Sequence, residues 1–252
     1  NGYTPHAALP ASSAGLQNTS VGEMAGDYYF PSAALKLQVT DNFSFGLIYD
    51  QPFGAEAEYS TGTQKTTALP GPLAPLGNQG LFHNGTEGTS VEVKSQSISM
   101  LFGYQPTENF NFYAGPVYQT IKGDVQLRGL AYGGNATFGG YNASIKETGD
   151  IGWLAGAAFQ IPDIALKASV TYRSEIEHSV NVKESFNSAG LLAGLNAAPS
   201  LNTDITTPQS VNLDFQTGIM ANTVAFANVR WVDWSSFSIQ PYKFGLASKN
   251  PA

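Results

Sequence analysis

The segment from Ala165 to Lys183 alternates apolar and polar residues over almost its whole length. One face carries apolar residues such as Leu166 and Val170, and the other carries polar or charged residues such as Lys167 and Glu177. A period of two is that of a β-strand, whose successive side chains point to opposite faces. At nearly twenty residues, the segment is more than twice as long as the usual strand of about five or six residues. Its length and its two contrasting faces favour a strand of a transmembrane β-barrel.

The same period recurs along the chain and predicts eight strands that pair as four antiparallel hairpins. They span approximately residues 28–40, 43–60, 91–105, 109–127, 150–161, 164–183, 208–220 and 223–240. The short connections within the hairpins are Asp41-Asn42, Thr107-Glu108-Asn109, Pro162-Asp163 and Ala221-Asn222. These are residues typical of tight turns, whereas the hairpins themselves are separated by about 20 to 30 residues. Strict alternation of short and long connections is typical of transmembrane barrels.

A soluble β-sandwich is the alternative to a barrel. It predicts strands of about five to six residues with turns every 8 to 12, and the predicted strands are too long for it. Aromatic residues such as Phe43, Phe110, Trp153 and Trp231 lie near predicted strand ends, as in the aromatic girdles of membrane barrels. Strand propensity alone also explains them. The fold class predicted is therefore all-β, a transmembrane antiparallel barrel of meander hairpins.

Composition excludes several other classes. Only 12% of the residues are charged, about half the usual fraction for soluble domains. The absence of Cys argues against a disulfide scaffold or a thiolate metal site. A net charge of −7 with scattered basic residues argues against nucleic acid as a partner. No apolar run approaches the roughly 20 residues that a membrane helix needs, so any membrane role must rest on strands.

Catalysis has little support in the sequence. His6, His83 and His178 are far apart, and neither a Ser-His-Asp set nor a metal-ligand spacing is evident. The phase of its strand predicts that His178 faces lipid. We therefore expect no enzyme activity, no cofactor and no metal.

Three stretches resemble the FadL family of outer-membrane transporters for long-chain fatty acids and other hydrophobic compounds. They are PSAALKLQVTDNFSFGLIYDQPFGAEAEYS (31–60), LKASVTYRSEIEHSVNV (166–182) and TPQSVNLDFQTGIMANTVAFANVRWVDWSSF (207–237). The most specific part is Thr171-Tyr172-Arg173-Ser174-Glu175, followed by Pro208 and then by Trp234-Ser235-Ser236-Phe237. Because the pieces keep the family's order and every hairpin is in register, the resemblance extends over nearly the whole chain.

The resemblance implies a location in the bacterial outer membrane and a fourteen-stranded barrel plugged by an amino-terminal hatch. The chain matches the second to ninth strands, so a fragment with about eight strands is expected, with a native eight-stranded barrel as the alternative. Residues 1–27 are then an outer-loop segment and 28–240 the barrel strands. The long extracellular loops are at about 61–90, 128–149 and 184–207, and a further one starts at 241–252.

One predicted strand is interrupted by Gln51-Pro52-Phe53-Gly54. Pro cannot donate to a strand ladder, and Gly within a strand usually marks a bulge or a close approach. The resemblance implies that this strand kinks inward and leaves a lateral gate, through which the ligand passes sideways into the bilayer. A plain bulge at the barrel rim is the alternative.

Candidate ligand contacts lie in two outer loops and on the inner face of the predicted barrel. The loop residues are Leu130, Tyr132, Phe138, Tyr141, Phe186, Leu191, Leu192 and Leu195. They form an apolar surface for capture, or they pack the loops against each other. The candidates for pairing with a ligand carboxylate are Arg173, Lys167 and Arg128. A network of ion pairs inside the barrel is the alternative role for such residues.

The resulting prediction is a channel for passive uptake of long-chain fatty acids or other hydrophobic compounds, with the lipid bilayer and lipopolysaccharide as its surroundings. A general diffusion porin and an outer-membrane acyl hydrolase are the alternatives. A porin needs an open, water-filled pore with rings of charge. The apolar loops and the interrupted strand favour the hydrophobic channel.

Overall fold

A computed structural model of the chain describes residues 23–25, 29–59, 61, 67–68, 78–235, 237 and 239–249. The strands are β1 (Ala33–Gln38), β2 (Phe43–Asp50), β3 (Gly54–Glu58), β4 (Thr67–Ala68), β5 (Asn78–Gln79), β6 (Ser90–Tyr104), β7 (Phe110–Arg128), β8 (Gly140–Ile161), β9 (Leu166–Arg173), β10 (Ile176–Ser185), β11 (Asn202–Thr207), β12 (Ser210–Met220) and β13 (Thr223–Val232). A single short α-helix in these ranges, α1, spans Tyr242–Lys249. None of the helices in the described part of the chain is long and apolar enough to span a membrane.

Eleven of the strands form one sheet, in which every pair is antiparallel. The central order is β1-β2-β6-β7-β8-β9-β12-β13, with β3 also beside β6, and β10 beside β8 and β11. Short turns join β1 to β2, β6 to β7, β8 to β9 and β12 to β13. The predicted all-β meander is therefore confirmed. We call the end of the sheet with these turns the turn end, and the opposite one the loop end.

The sheet curls on itself, because residues on distant strands touch across its concave side. Arg173 on β9 contacts Asp50 on β2 across the three strands between them, with 3.1 Å between Nη2 and Oδ2. Tyr113 on β7 and Thr171 on β9 also meet, with 2.6 Å between their hydroxyl oxygens. We call the concave side the inner face and the convex side the outer face. No ladder joins β1 to β13 among the residues described, so the sheet is an open wall.

The outer face is apolar from the turn end to about the middle of the long strands. On β6, Ile98, Met100, Phe102 and Tyr104 are exposed, whereas Ser99 between them is buried. The same alternation continues on the neighbouring strands, with exposed residues Phe110, Phe112, Tyr118, Ile151, Trp153, Leu213, Phe215 and Trp231. A band of exposed apolar residues around such a wall is what membrane barrels present to hydrocarbon.

Aromatic side chains mark both margins of this apolar band. Near the turn end, Phe43 contacts Tyr104, with ring centroids 5.0 Å apart. At the margin toward the loop end, Trp153 contacts Tyr172 at 5.1 Å. Rings at both margins correspond to the two interfaces at which aromatic residues concentrate in membrane barrels.

The prediction of one continuous strand over 164–183 is wrong, because the chain leaves the wall after β9. Just after β9, the amide of Ser174 donates to the carbonyl of Trp153 at 3.0 Å, and this is the last backbone hydrogen bond between the two strands. β10 next pairs with β8 only at Val182, opposite Ile145. Between these points Ile176 crosses over Gly152, where an added Cβ would lie only 2.5 Å from Ile176 Cγ1. The chain thus passes from the wall to a layer that covers the inner face.

This crossing also overturns the predicted orientation of His178. The even-numbered residues of β9 include the exposed Val170, whereas the even-numbered residues of β10 are all buried. His178 is 0% exposed, and its Nε2 lies 3.2 Å from Oε1 of Gln119 on the inner face of β7. The apolar residues at even positions therefore face outward in β9 and inward in β10, although their alternation continues without interruption in the sequence.

The inner face at the loop end is filled by an apolar cluster, which we call the loop-end core. Its buried members are Ile121, Tyr141, Ala143, Val180, Val182, Phe186, Ile205 and Ala247, and the partly buried ones are Val125, Leu127, Phe138, Ile145, Leu192, Leu195 and Phe244. They come from β7, β8, β10, β11, the connections after β7 and β10, and α1. The strands thus continue past the exposed apolar band to enclose a core of their own.

A substitution at Gly115 on β7 tests how closely β6 and β7 approach each other. A Cβ at this position would lie 1.7 Å from the carbonyl oxygen of Met100, a backbone atom that cannot move aside. We expect Gly115→Ala to force the strands apart and lower the free energy of unfolding by about 1 to 3 kcal/mol. Gly194 is the control, since nothing lies within 4 Å of its added Cβ.

The measurement is a urea titration of the refolded protein in lipid vesicles, followed by tryptophan fluorescence. Equal unfolding midpoints for Gly115→Ala and Gly194→Ala would show that the two strands have room for a methyl group.

Candidate functional site

A cavity of about 510 Å³ lies on the inner face toward the turn end. Polar and apolar side chains of seven strands line it, including Ser44, Ile48, Leu101, Asn111, Tyr113, Lys167, Ser169, Thr171, Arg173 and Asn212. Lys167 and Arg173 thus lie on the inner face, where the period of the sequence places them. The cavity has the size of a pocket for a small organic ligand.

Two guanidinium groups and one carboxylate meet at the loop-end side of this cavity. Asp50 accepts hydrogen bonds from Arg173 Nη2 at 3.1 Å and from Ser97 Oγ at 2.7 Å. The guanidinium carbon of Arg230 lies 5.6 Å from the ring centroid of Phe53, a cation–π contact. Within the described part of the chain Arg230 has no carboxylate within 4.0 Å. The group therefore has one positive charge more than it has negative charges.

Next to these charges side chains pack around a small space, and we call this place the constriction. Its lining includes Phe53, Arg173, Ile176, Pro208 and Arg230, and it holds a space of only about 20 Å³. A space of this size is on the order of a single water molecule. The constriction shares Arg173 with the 510 Å³ cavity, and its Ile176 packs with Val117 and Leu154.

The predicted interruption of the strand is present at the constriction. β2 ends at Asp50 and β3 begins at Gly54, and these residues face Ser97 and Lys94 of β6. From Asp50 to Gly54 the chain advances four residues, whereas the opposing part of β6 advances only three. The extra residue is a one-residue bulge. Ser95 bridges it, because its amide and its hydroxyl both donate to the carbonyl of Phe53, at 3.0 and 2.6 Å.

A second cavity, of about 310 Å³, lies at this interruption, and we call it the break pocket. Its lining residues are Tyr29, Phe30, Gln51, Phe53, Gly54, Ala55, Glu56, Val93, Lys94 and Ser95. Phe53, Val93 and Ser95 belong to the inner face by strand alternation, whereas Glu56 and Lys94 belong to the outer face. The pocket therefore contacts both sides of the wall. Phe53 also contacts Trp234, with ring centroids 5.7 Å apart.

The loop residues predicted to capture a ligand fall into two groups. Phe138, Tyr141 and Phe186 pack against one another and Phe244, with centroid distances from 4.9 to 6.1 Å. Leu192 and Leu195 pack on the same core, Tyr132 contacts Phe82, and Leu130 is half-buried. Leu191 differs from all of these because 72% of its surface is exposed. Most of the set thus packs the loops, and Leu191 is available on the surface.

Arg128 is placed deep in the loop end, where only 6% of it is exposed. Its Nε donates to Glu87 at 2.7 Å, and Nη1 and Nη2 donate to the carbonyl of Tyr141 and the amide oxygen of Asn142. All three nitrogens are engaged, so these contacts join the end of β7 to β8 and to the segment before β6.

The sequence prediction missed Glu184 and α1, which lie beside the predicted capture residues of the loop-end core. The carboxylate of Glu184 accepts the hydroxyl of Tyr141 at 2.8 Å and the amides of Lys243 and Phe244 at 2.7 and 2.8 Å. Burial and the adjacent carboxylate raise the pKa of Tyr141, so its hydroxyl remains a donor. The first turn of α1 is thereby fixed to the loop-end core. The sequence signal for this contact was Glu184 itself, an acid that occupies an inward-facing even position of β10.

Comparison with known proteins relates this geometry to solved structures. No protein-family model matches the chain, and no curated protein matches it either. The crystal structure of a FadL homologue from Pseudomonas aeruginosa matches with a TM-score of 0.56 and 17% identity, over 86% of this chain and 51% of that one. The toluene transporter TbuX of Ralstonia pickettii matches with a TM-score of 0.53 and 13% identity, over 85% and 57%. The chain has the FadL-type fold.

The FadL-type fold confirms the predicted resemblance at the level of architecture. The chain spans just over half the length of the two solved structures that it matches. Arg230, which the sequence prediction did not select, lies on the inner face of this fold because it alternates with the exposed Trp231. The predicted contacts of individual residues with a ligand remain predictions.

Glu184→Gln tests the attachment of α1 in this FadL-type fold. An amide has only one acceptor oxygen, so one of the two α1 amides would face the NH₂ group. We expect faster hydrogen exchange at Lys243 and Phe244, with a local loss of about 1 to 3 kcal/mol. Glu177→Gln is the control, because Glu177 is exposed on the same strand. Unchanged exchange in Glu184→Gln would show that the hydrogen bonds from Lys243 and Phe244 to Glu184 do not hold α1 in place.

Proposed function

We propose that the protein is an outer-membrane channel for the passive uptake of long-chain fatty acids or other hydrophobic compounds. The observation that carries this proposal is the break pocket, which contacts both faces of the wall beside the constriction. The break faces Ser97 to Lys94 of β6, just beyond the end of the apolar band at Ile98, so it opens at the edge of the hydrocarbon. There an unpaired backbone group can still reach polar headgroups or water, whereas deeper in hydrocarbon it would cost several kcal/mol. A break at this place favours a route between the inside of the barrel and the bilayer.

Capture is proposed to begin at the loop end. The exposed Leu191 lies beside the apolar core formed by Phe138, Phe186 and Leu192, so an apolar ligand would extend a surface that is already apolar. The matched toluene transporter supports hydrophobic compounds as the class of ligand. A lipopolysaccharide-bearing outer leaflet would surround this end of the barrel.

The ligand is then proposed to pass the charges beside the constriction. A fatty acid carboxylate would pair with Arg173 or Arg230, since Asp50 neutralises only one of the two guanidinium groups. Lys167 lies farther toward the turn end and would offer a second partner within the cavity. A neutral aromatic hydrocarbon would instead replace Phe53 in its contact with Arg230, because guanidinium groups bind aromatic faces.

The exit is proposed to run sideways at Gln51, Pro52, Phe53 and Gly54. These residues form the part of the β2–β3 segment that is not in strand conformation, together with the first residue of β3. Pro52 provides no amide for a ladder. A rim bulge without transport is the alternative reading of the same geometry.

A general diffusion porin is less well supported. Such a pore is open and filled with water, whereas here the loop-end core and the constriction occupy the inner face of the described wall. An acyl hydrolase needs a nucleophile and a base within hydrogen-bond reach. The contact of His178 Nε2 is with the amide of Gln119, and we propose no catalytic role.

The lateral exit is tested by Pro52→Thr combined with Gly54→Val. Thr and Val suit strands, and Thr restores a backbone donor, so we expect a more stable barrel with at least tenfold slower transport of labelled oleate. Binding at the loop end should stay within twofold. Pro106→Thr, in the turn between β6 and β7, makes the same exchange far from the break. Wild-type transport by the double variant would exclude the lateral exit.

Capture is tested separately by Leu191→Ser. A leucine contributes about 1.5 kcal/mol or more when fully buried, so apparent affinity for oleate should fall by up to about tenfold. The control is Leu201→Ser, another exposed leucine of the same connection. Uptake at limiting oleate, measured beside heat-modifiable gel migration, distinguishes lost capture from failed assembly. Equal uptake by the two variants would remove Leu191 from the capture surface.

A further inference from the structure

Basic side chains are distributed unevenly on the outer face. The outward-facing ones on the described strands are Lys94 on β6, Lys122 on β7, Lys146 on β8 and Lys183 on β10. All four lie on the loop-end side of the apolar band that ends at Ile98, Tyr118 and Ile151. By contrast, three of the four short turns carry one acid each and no base, namely Asp41, Glu108 and Asp163. The described lysines of the outer face therefore lie only on the loop-end side, where they are interspersed with the acids Glu56, Glu92 and Asp124.

Three of these lysines form a row across adjacent strands, which we call the lysine row. Lys94 lies directly opposite Lys122. Lys146 is in the bulge of β8 that faces Lys122 from the other side. Like charges placed directly opposite each other in a sheet are destabilising. A row of this kind therefore favours an anion that binds between the side chains.

Charges on the protein neutralise the lysine row only in part. Lys94 forms an ion pair with Glu92. Lys122 and Lys146 have no carboxylate within 4.0 Å in the described part of the chain, although Glu147 follows Lys146 in the bulge. Both lysines are exposed, so two ammonium groups remain open to a ligand.

The height of the row matches the headgroup layer of a bilayer. Lys94 and Lys122 each lie four residues from the end of the apolar band, at Ile98 and Tyr118. Four residues span about 13 Å along a strand, or about 10 Å along the axis of a barrel with tilted strands. The headgroup layer is about 5 to 8 Å thick on each side. Because lysine side chains reach back toward a polar interface, their ammonium groups would lie at the level of lipid phosphates.

A polar groove of about 340 Å³ adjoins the row on its loop-end side. Hydroxyl, amide and charged side chains line it, among them Ser90, Asp124, Gln126, Asn142, Ser144, Lys183 and Ser185. Ser144 lies opposite both Asp124 and Lys183 in the ladder, so the groove crosses β7, β8 and β10. Hydroxyl and amide groups in a shallow groove suit the hydroxyl groups of sugars, which both donate and accept hydrogen bonds.

We infer that the lysine row and the polar groove together bind a phosphorylated glycolipid of the surrounding leaflet. The phosphates lie on Lys122 and Lys146, the sugars lie in the groove, and the acyl chains lie against the apolar band. This inference rests on the proposed outer-membrane location and adds a lipid site outside the ligand route. The row alone would suit any anionic lipid, but the adjoining groove favours one with a sugar headgroup.

The test uses the full protein, purified in detergent and mixed with hexa-acylated lipid A in its bis-phosphorylated or its dephosphorylated form. Native mass spectrometry measures how much of each lipid the protein retains. We expect at least tenfold more retention of the phosphorylated form. Lys122→Gln with Lys146→Gln should abolish that preference, whereas Lys122→Arg with Lys146→Arg should keep it. Lys36→Gln with Lys249→Gln removes the same charge elsewhere and should keep it too.

Three results would overturn the inference: equal retention of the two lipid A forms, unchanged preference in the double Gln variant, or equal competition by phosphatidylglycerol. Surface changes of this type usually have little effect on stability, and heat-modifiable migration verifies folding. Membrane fractionation and oleate uptake of the same variants separate the two proposals. A protein absent from the outer membrane contradicts the proposed function, whereas a normal location without lipid preference contradicts only the glycolipid site.

Discussion

The pairing of backbone amides and carbonyls is the constraint on which the rest of this molecule depends. A wall with an apolar outer face offers its backbone no water on that side, so its polar groups must be paired within the wall. Antiparallel strands joined by short turns meet this requirement with neighbours in sequence. Every departure from the ladder is then informative. The two principal departures, at Gln51–Phe53 and at Ser174–Glu175, both lie beside the constriction.

Both departures are compensated by specific contacts. At the first, Ser95 supplies its hydroxyl and its amide to Phe53. At the second, the hydroxyl of Ser174 accepts the amide of Trp153 at 3.0 Å, and β10 gains β11 as a new neighbour. Small hydroxyl side chains therefore replace the strand partner at each break. Each hydroxyl thus pairs part of the backbone at a place where the ladder stops.

The strands and the first break could be predicted because they depend on local properties. A period of two identifies a strand, and Pro52 with Gly54 interrupts one wherever the strand lies. Other features depend on distant partners. The orientation of His178 follows from the crossing of Ile176 over Gly152. The alternation of apolar and polar residues over 166–182 continues through this crossing, so the sequence gives no sign of it. Similarly, Arg128 looked available for a ligand because its partners, Glu87 and Asn142, lie 41 and 14 residues away. The helix α1 depends on Glu184, about 60 residues earlier.

Phe53 belongs to the break in the wall and to the lining of the constriction at the same time. Its backbone is held by Ser95, while its ring lies between Arg230 and Trp234 at the opposite edge of the sheet. A backbone movement at Phe53 that carried its ring away from Trp234 would also shift the segment at the break, because ring and segment belong to one residue. Widening of the interior and loosening of the wall would then be a single mechanical event. In such an arrangement a molecule wide enough to displace the ring would loosen the wall at the place where it has arrived, and water, which is small enough to leave the ring undisturbed, would not.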